Sequence, residues 1–180
     1  MQKFKTLSDV IALAEFAHRN QTDKAGLPYI EHPRRVMQNV QAQGAMPYVQ
    51  MAAILHDVTE DTAFTPDMLL DLGVPEAAVE VVKLCDRDYS EGEFRFINNG
   101  RDTVVGTKNG KSFIWYMALG PDAQEEYYYA QIRKNPAALQ VKLADIGDNL
   151  QPWRLSYLPV EKQEYLRDKY AKAINLLTGE

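Results

Sequence analysis

Four ionisable side chains lie within six positions of the stretch Ala52-Ala53-Ile54-Leu55-His56-Asp57-Val58-Thr59-Glu60-Asp61-Thr62. In a continuous helix, at about 100° per residue, they would share one arc because they form two pairs that are one turn apart. Apolar residues would then occupy the opposite side. Carboxylates this close repel one another unless a cation lies among them, so the pattern predicts a cation site. The alternative interpretation is an acidic, solvated helix face.

The composition predicts one domain over residues 1–180, because a chain of this length with 46% hydrophobic residues builds one sizeable core rather than two. No apolar run reaches the about 18 residues of a membrane span, and Met1–Lys5 does not lead into a signal peptide. The single Cys85 excludes an internal disulfide and fits a reducing compartment, so we expect a cytoplasmic protein without a membrane partner.

The net charge of −5, without a long basic run, argues against nucleic acid as a partner. Local lysines and arginines would still suffice to bind a small anionic molecule. The oligomeric state stays open, and a homo-oligomer is one alternative.

Helical periodicity, prolines and glycines predict short helices in close succession, which is typical of an all-α bundle. The third of these helices starts at Pro47 and continues through the motif quoted above. The predicted helices span residues 6–19, 33–43, 47–62, 67–72, 76–85, 123–135, 136–149 and 159–177.

The helical pattern fails between about residues 93 and 120, where aromatic and β-branched residues dominate. Two Asn-Gly dipeptides, at residues 99–100 and 109–110, separate β-prone runs, which predicts a small β-hairpin inserted into the helical domain. One interpretation is a packing flap or an oligomer contact. The other is a lid whose aromatic side chains cover a base or ribose.

A second polar cluster follows the mostly apolar stretch after Pro136, where Asp145 and Asn149 lie one helical turn apart. A carboxylate at the end of a buried stretch needs a partner, and a metal ion is one candidate. With His32, at the entrance of the second predicted helix, the candidates form a set of two histidines and two carboxylates: His32, His56, Asp57 and Asp145. Such ligands suit Mn²⁺, Fe²⁺, Zn²⁺ or Mg²⁺, and we expect Mn²⁺.

A His, then an adjacent His-Asp pair, then a distant Asp resembles the signature of the HD superfamily of metal-dependent phosphohydrolases. The sequence is most similar to the hydrolase domain of the RelA/SpoT family and to the small alarmone hydrolases, through residues 17–33, 55–62 and 135–149. The 180 residues leave no room for a synthetase domain, so the resemblance implies an all-α HD domain that only hydrolyses guanosine 3′,5′-bis(diphosphate), ppGpp.

The resemblance also implies roles for individual side chains. The metal ligands would be His32, His56, Asp57 and Asp145. Glu60 and Asp61 would position and activate the attacking water, which a divalent ion makes more acidic, and Asn149 would line the nucleotide site. The candidates for binding phosphate are Lys24, Lys142 and Arg35.

Other candidates have a structural interpretation beside the functional one. His18 lies on the inward face of its predicted helix, which favours a supporting role over catalysis. Lys142 has the alternative of a surface lysine whose stem covers the core. The tyrosines at 127–129 are more typical of packing than of substrate stacking.

The chain departs from the alarmone-hydrolase pattern where the substrate would be selected. Asp23 precedes Lys24 where the family usually has an Arg near the guanine base, and Ile146–Asp148 replace basic and His residues. An Asp cannot stack on a base as a guanidinium does. We therefore expect removal of the 3′-pyrophosphate of ppGpp, with two alternatives: another nucleotide (a deoxynucleotide or the phosphate of NADPH), or a silent nucleotide-binding module. The Glu60-Asp61 pair argues against silence.

Overall fold

The computed structural model describes residues 6–23, 26–87, 89, 107–108, 111–112 and 119–179, and only the backbone of 107–108 and 111–112. The helices in these ranges are α1 Leu7–His18, α2 Glu31–Ala42, α3 Pro47–Leu55, α4 Val58–Asp61, α5 Pro66–Asp71, α6 Glu76–Cys85, α7 Pro121–Lys134, α8 Pro136–Asn149, α9 Pro152–Leu155 and α10 Val160–Thr178. The described residues are therefore mostly helical, which is consistent with the predicted all-α domain. None of these helices combines the length and apolar character that crossing a membrane requires.

Helix α3 forms the centre of the core and contacts α1, α2, α6 and α8. Its Val49 and all of residues 51–55 are buried, which is typical of a helix that is apolar on every side. The small Ala52 and Ala53 are fully buried as well, so they lie inside the core rather than beside a polar arc.

The predicted continuous helix through the quoted motif is wrong. Helix α3 ends at Leu55, and Asp57, with φ −100° and ψ −4°, leaves the regular helical conformation before the single turn of α4 begins at Val58. His56 and Asp57 consequently lie in a turn between α3 and α4, whereas Glu60 and Asp61 lie in α4. The break lets His56 and Asp57 turn toward side chains from α2 and α8.

The ends of the first two helices follow from local side chains. Thr6 caps α1, because its hydroxyl accepts from the Asp9 amide at 3.2 Å while the Asp9 carboxylate accepts from the Thr6 amide at 3.1 Å. Helix α2 starts at Glu31, two residues before the predicted start, so His32 lies in its first turn. Gly44, with φ +77°, ends it as predicted.

The predicted hairpin lies mostly outside the described residues. Within it, Thr107–Lys108 and Lys111–Ser112 pair as two short antiparallel strands, β1 and β2, with Thr107 opposite Ser112. The hairpin as a whole, and both interpretations of its role, stay predictions.

Helix α8 carries four of the polar side chains around the site, and Asn135 caps its start. The Asn135 Oδ1 accepts from the amides of Ala137 and Ala138 at 3.0 and 3.1 Å. We expect Asn135→Ala to lower the free energy of unfolding by about 1 kcal/mol, because two amides at the helix start lose their acceptor. Urea denaturation of both proteins measures the difference.

Asn135→Asp is the matched control for this change, because its carboxylate keeps the acceptor and should retain wild-type stability. Equal urea midpoints for the wild type and Asn135→Ala would show that this cap does not stabilise α8.

Candidate metal centre

Three of the four predicted metal ligands converge where α2 meets the break after α3. One ligand atom from each of His32, His56 and Asp57 lies within 4.8 Å of the others. The Asp57 Oδ2 is 3.1 Å from the His56 Nε2 and 3.7 Å from the His32 Nε2. Both imidazoles therefore direct the same nitrogen toward one carboxylate.

The fourth predicted ligand, Asp145 of α8, completes the cluster. Its Oδ1 lies 3.2 Å from the His32 Nε2 and 3.8 Å from the His56 Nε2. All of these side chains except that of Asp57 are buried, and Asp57 is half-buried. The structure thus brings together His32, the adjacent pair His56-Asp57, and Asp145, which come from three separate parts of the sequence.

His56 has an unpartnered nitrogen inside this cluster. Its Nδ1 lies 2.8 Å from the backbone carbonyl of Ala53, and since a carbonyl only accepts, the Nδ1 carries a proton and donates it. The Nε2 is buried and makes no hydrogen bond, although Asp57 is close. A buried imidazole nitrogen without a partner is uncommon, and a cation among these residues would satisfy it.

The electrostatics of the cluster favour positive charge. Burial lowers the pKa of His56, but the Asp57 charge outweighs this effect and raises the pKa above its usual value, to about 9. Burial raises the pKa of Asp57, and the His56 charge outweighs this effect, so the pKa of Asp57 lies below its usual value. The negative charges of Asp57 and Asp145 that raise the pKa of His56 would also stabilise a divalent cation.

Two side chains of the same helix, α8, also contact the Asp145 carboxylate. The Lys142 Nζ lies 2.9 Å from the Asp145 Oδ2, and the Asn149 amide donates to the Oδ1 at 2.6 Å. Burial raises the pKa of Asp145, but the Lys142 charge brings it well below its usual value. Lys142 is therefore not the surface lysine of the alternative interpretation: its side chain is 14% exposed.

A cavity of about 440 Å³ opens beside the cluster and contains most of the predicted site residues. It is lined by Thr22, Asp23, Tyr29, His32, Asp57, Glu60, Asp61, Arg87, Tyr129, Lys142, Asp145, Asn149, Arg154, Leu158, Leu166, Lys169 and Tyr170. Lys24, a predicted phosphate-binding residue, lies outside the described residues. Asp23 forms a turn here, because its Oδ1 accepts from the Leu27 amide at 3.0 Å.

Glu60 and Asp61 line this cavity, and each accepts a hydrogen bond from a neighbouring segment of the chain. The Glu60 carboxylate accepts from the Arg87 backbone amide at 3.3 Å, and the Asp61 carbonyl accepts from the Gln21 amide at 2.7 Å. Reduced hydration in the cavity raises the pKa of both carboxyls, and for Asp61 the nearby Asp57 charge adds to this effect. Gln21 also accepts from the buried His18 at 2.6 Å, which agrees with a supporting role for His18.

Several residues of the site were not predicted. The Tyr29 hydroxyl donates to the Asp57 Oδ2 at 2.7 Å, and the Arg87 guanidinium lies 4.6 Å from the centre of the Tyr128 ring. Arg154 belongs to α9, a single helical turn that begins at Pro152 and that was not predicted from the sequence. An arginine or tyrosine outside any motif has no sequence signal, whereas Pro152 could have indicated the helix start.

Contacts bear on two further predictions. The Arg35 Nε donates to the Asp148 carboxylate at 2.6 Å, and Arg35 is not among the residues that line the cavity, so its role in phosphate binding stays a prediction. Tyr128 is packed in the core, as predicted, with its hydroxyl donating to the Cys85 carbonyl. Tyr129 is buried too, but it also lines the cavity.

Comparison with known proteins adds independent evidence on the family. No protein-family model matches the chain. It is 31% identical, over 156 residues and 84% of its length, to a GTP pyrophosphokinase of Streptomyces coelicolor, of which it covers 15%. It is 26% identical, over 83% of its length, to a probable guanosine-3′,5′-bis(diphosphate) 3′-pyrophosphohydrolase of Mycoplasma genitalium, of which it covers 18%.

A third relative is the bifunctional (p)ppGpp synthase/hydrolase SpoT of Escherichia coli, 38% identical over 57% of this chain and 15% of its own length. The chain thus spans less than a fifth of the length of these relatives. Its fold is similar to the solved structure of a metazoan ortholog of SpoT that hydrolyses ppGpp, with a TM-score of 0.64 and 22% identity, over 95% of this chain and 82% of that one. The chain is an HD-type, RelA/SpoT hydrolase-like domain.

Proposed function

We propose that the protein is a Mn²⁺-dependent phosphohydrolase that removes the 3′-pyrophosphate of ppGpp in the cytoplasm. The observation that carries this proposal is the His56 Nε2, which makes no hydrogen bond and lies among His32, Asp57 and Asp145. Those three residues line a cavity together with the carboxylates of Glu60 and Asp61. The relatives named for ppGpp synthesis or hydrolysis support the substrate class.

The four clustered side chains fit a divalent cation. Two imidazole nitrogens, which would lose their protons on metal binding, and two ionised carboxylates offer borderline and hard donors, which suit Mn²⁺ and also Fe²⁺, Zn²⁺ or Mg²⁺. His32, His56, Asp57 and Asp145 would hold the ion. When bound, such an ion makes water more acidic and offsets negative charge on phosphoryl oxygens.

Glu60 would act as the general base for the attacking water. Its carboxylate lines the cavity, and its raised pKa makes it a stronger base than an ordinary glutamate. The amide of Arg87 orients one Glu60 oxygen. Asp61, whose amide donates to the Asp57 carbonyl at 2.9 Å, would orient the water from the same turn.

The rest of the cavity suits an anionic nucleotide. Four cationic side chains line it, namely Arg87, Lys142, Arg154 and Lys169. They offset the negative charge of a substrate that carries several phosphates. Asn149 lines the cavity with its amide bonded to Asp145, which supports its predicted place in the nucleotide site, and the proposed phosphate contacts of Lys142 and Lys24 stay predictions.

A second candidate is hydrolysis of another nucleotide, such as a deoxynucleotide or the phosphate of NADPH. The observation in its favour is Asp23, which lines the cavity where alarmone hydrolases usually have an Arg. A negative charge there disfavours base stacking and repels phosphate. A silent binding module is disfavoured, because Glu60 and Asp61 both lie at the cavity beside the proposed metal centre.

Assays with a panel of substrates test the proposed function and its two alternatives. Purified protein is stripped of metal, reloaded with Mn²⁺, and incubated with ppGpp, deoxynucleoside triphosphates and NADPH, while released phosphate and pyrophosphate are measured. We expect pyrophosphate from ppGpp. If another nucleotide is hydrolysed and ppGpp is not, the proposed substrate is wrong. If none of the compounds is hydrolysed, an enzymatic function is contradicted.

A further inference from the structure

Asp148 lies directly behind His32, on the side away from the clustered carboxylates. Its side chain is 5% exposed, and its Oδ2 is 2.6 Å from the His32 Nδ1. On sequence this position was only a departure from the family pattern, in which basic and His residues follow the metal-ligating Asp. The structure makes it a direct contact of a proposed metal ligand.

The Asp148 carboxylate determines which nitrogen of His32 carries the proton. The Arg154 Nη1 contacts the Asp148 Oδ2 and also lies 2.8 Å from the His32 Nδ1. A guanidinium only donates and an ionised carboxylate only accepts. An unprotonated Nδ1 would place two acceptors 2.6 Å apart, so the arrangement that satisfies all three groups has the His32 Nδ1–H and Arg154 both donating to Asp148. The His32 Nε2 then directs its lone pair toward Asp57 and Asp145.

A second arginine fixes the carboxylate itself. The Arg35 Nε donates to the Asp148 Oδ1 at 2.6 Å, and its NH2 donates to the Oδ2 at 3.2 Å. The Arg35 guanidinium lies 4.8 Å from the centre of the Trp153 ring. This two-point contact, stacked on an aromatic face, leaves Asp148 little rotational freedom.

We propose that Asp148 is the positioning residue for His32. It holds the ring orientation and the tautomer that presents Nε2 to a divalent cation, and Arg35 and Arg154 hold Asp148 in place. A carboxylate behind a metal-ligating imidazole also makes that imidazole a better donor. This inference rests on the metal centre of the proposed function, but on neither the substrate nor the reaction.

The competing explanation is a purely structural ion cluster that joins α2, α8 and α9. Both explanations predict lower stability when Asp148 is replaced. Only the positioning role predicts a change in the affinity of the folded protein for metal, and in the proton position on His32.

Isothermal titration of Mn²⁺ into metal-free protein separates the two explanations. Asp148→Asn keeps the shape of the side chain and removes its charge, and we expect it to weaken Mn²⁺ binding by about 10- to 100-fold. Asp86→Asn is the matched control, because Asp86 is a buried carboxylate that accepts from the Thr59 hydroxyl at 2.7 Å and from the Tyr89 amide at 2.9 Å. It should lose stability and keep the wild-type affinity.

Affinity of folded Asp148→Asn within about twofold of the wild type would overturn the proposal, as would an equal loss of affinity in Asp86→Asn. If Asp148→Asn does not fold, the wild type alone decides: long-range ¹H–¹⁵N spectra of the metal-free protein, at a pH where His32 is neutral, should show the His32 proton on Nδ1. A proton on Nε2 would contradict the proposal. None of these measurements uses a substrate. If metal binding depends on Asp148 but the protein does not hydrolyse ppGpp, only the proposed function is refuted.

Discussion

Asp57→Ala is expected to abolish tight Mn²⁺ binding and, with it, hydrolysis of ppGpp. Asp57 lies close to both imidazoles, 3.1 Å from the His56 Nε2 and 3.7 Å from the His32 Nε2. Its removal deletes one of four donors and one acceptor of the Tyr29 hydroxyl. Because replacing a residue behind a metal ligand already costs about 10- to 100-fold in affinity, loss of the ligand should cost more than about 100-fold. Titration calorimetry with Mn²⁺ and an assay of pyrophosphate release measure both effects.

Asp71→Ala is the control for this substitution, because Asp71 is an exposed aspartate of the neighbouring α5. It should retain both metal affinity and turnover. Wild-type affinity in Asp57→Ala would show that the cluster around His56 is not the metal centre. Lost affinity with intact turnover would show that hydrolysis does not depend on this centre.

Glu60→Gln is expected to lower kcat by about 10²- to 10⁴-fold while Mn²⁺ affinity stays at the wild-type value. The amide keeps the size of the side chain and the contact with the Arg87 amide, but it cannot take a proton from water. Since Glu60 is not among the clustered donor atoms, metal binding should be independent of it. Steady-state kinetics at saturating Mn²⁺, with calorimetry on the same preparation, separates the two quantities.

Glu80→Gln provides the matched change on the exposed face of α6, where Glu80 pairs only with Lys83 in the described contacts. Its kcat should equal that of the wild type. If Glu60→Gln kept wild-type kcat, Glu60 would not be the base, and the same test would move to Asp61. A parallel loss of Mn²⁺ affinity would instead place Glu60 in the metal centre.

Most helix boundaries could be predicted from sequence because proline, glycine and capping residues act locally. Pro136 starts α8, Gly44 ends α2, and Thr6 caps α1, each through contacts within a few residues. The break after Leu55 could not be predicted in this way. No proline or glycine marks it, and it places His56 and Asp57 where tertiary contacts with His32 and Asp145 favour them.

The four clustered residues could be predicted because their chemical types and order are unusual. Their supporting contacts could not, since those depend on distance in space between helices. Asp148 had no interpretation on sequence beyond a departure from a pattern, yet it contacts His32 and two arginines. The sequence allows two interpretations of Lys142, a phosphate-binding residue or a surface lysine. Only the structure shows that its ammonium group contacts the Asp145 carboxylate, one turn further along α8.

The metal centre also has a topological consequence. Two of the proposed ligands, His32 on α2 and Asp145 on α8, lie in the first and last thirds of the chain, and His56 and Asp57 lie between them in sequence. An ion held here would join the first and last thirds of the chain as a removable cross-link, much as a disulfide does. Since the unfolded chain has no preformed site, the binding free energy of the ion adds to that of folding. Metal supply would then set how long the folded chain survives proteolysis, as well as how fast it turns over substrate.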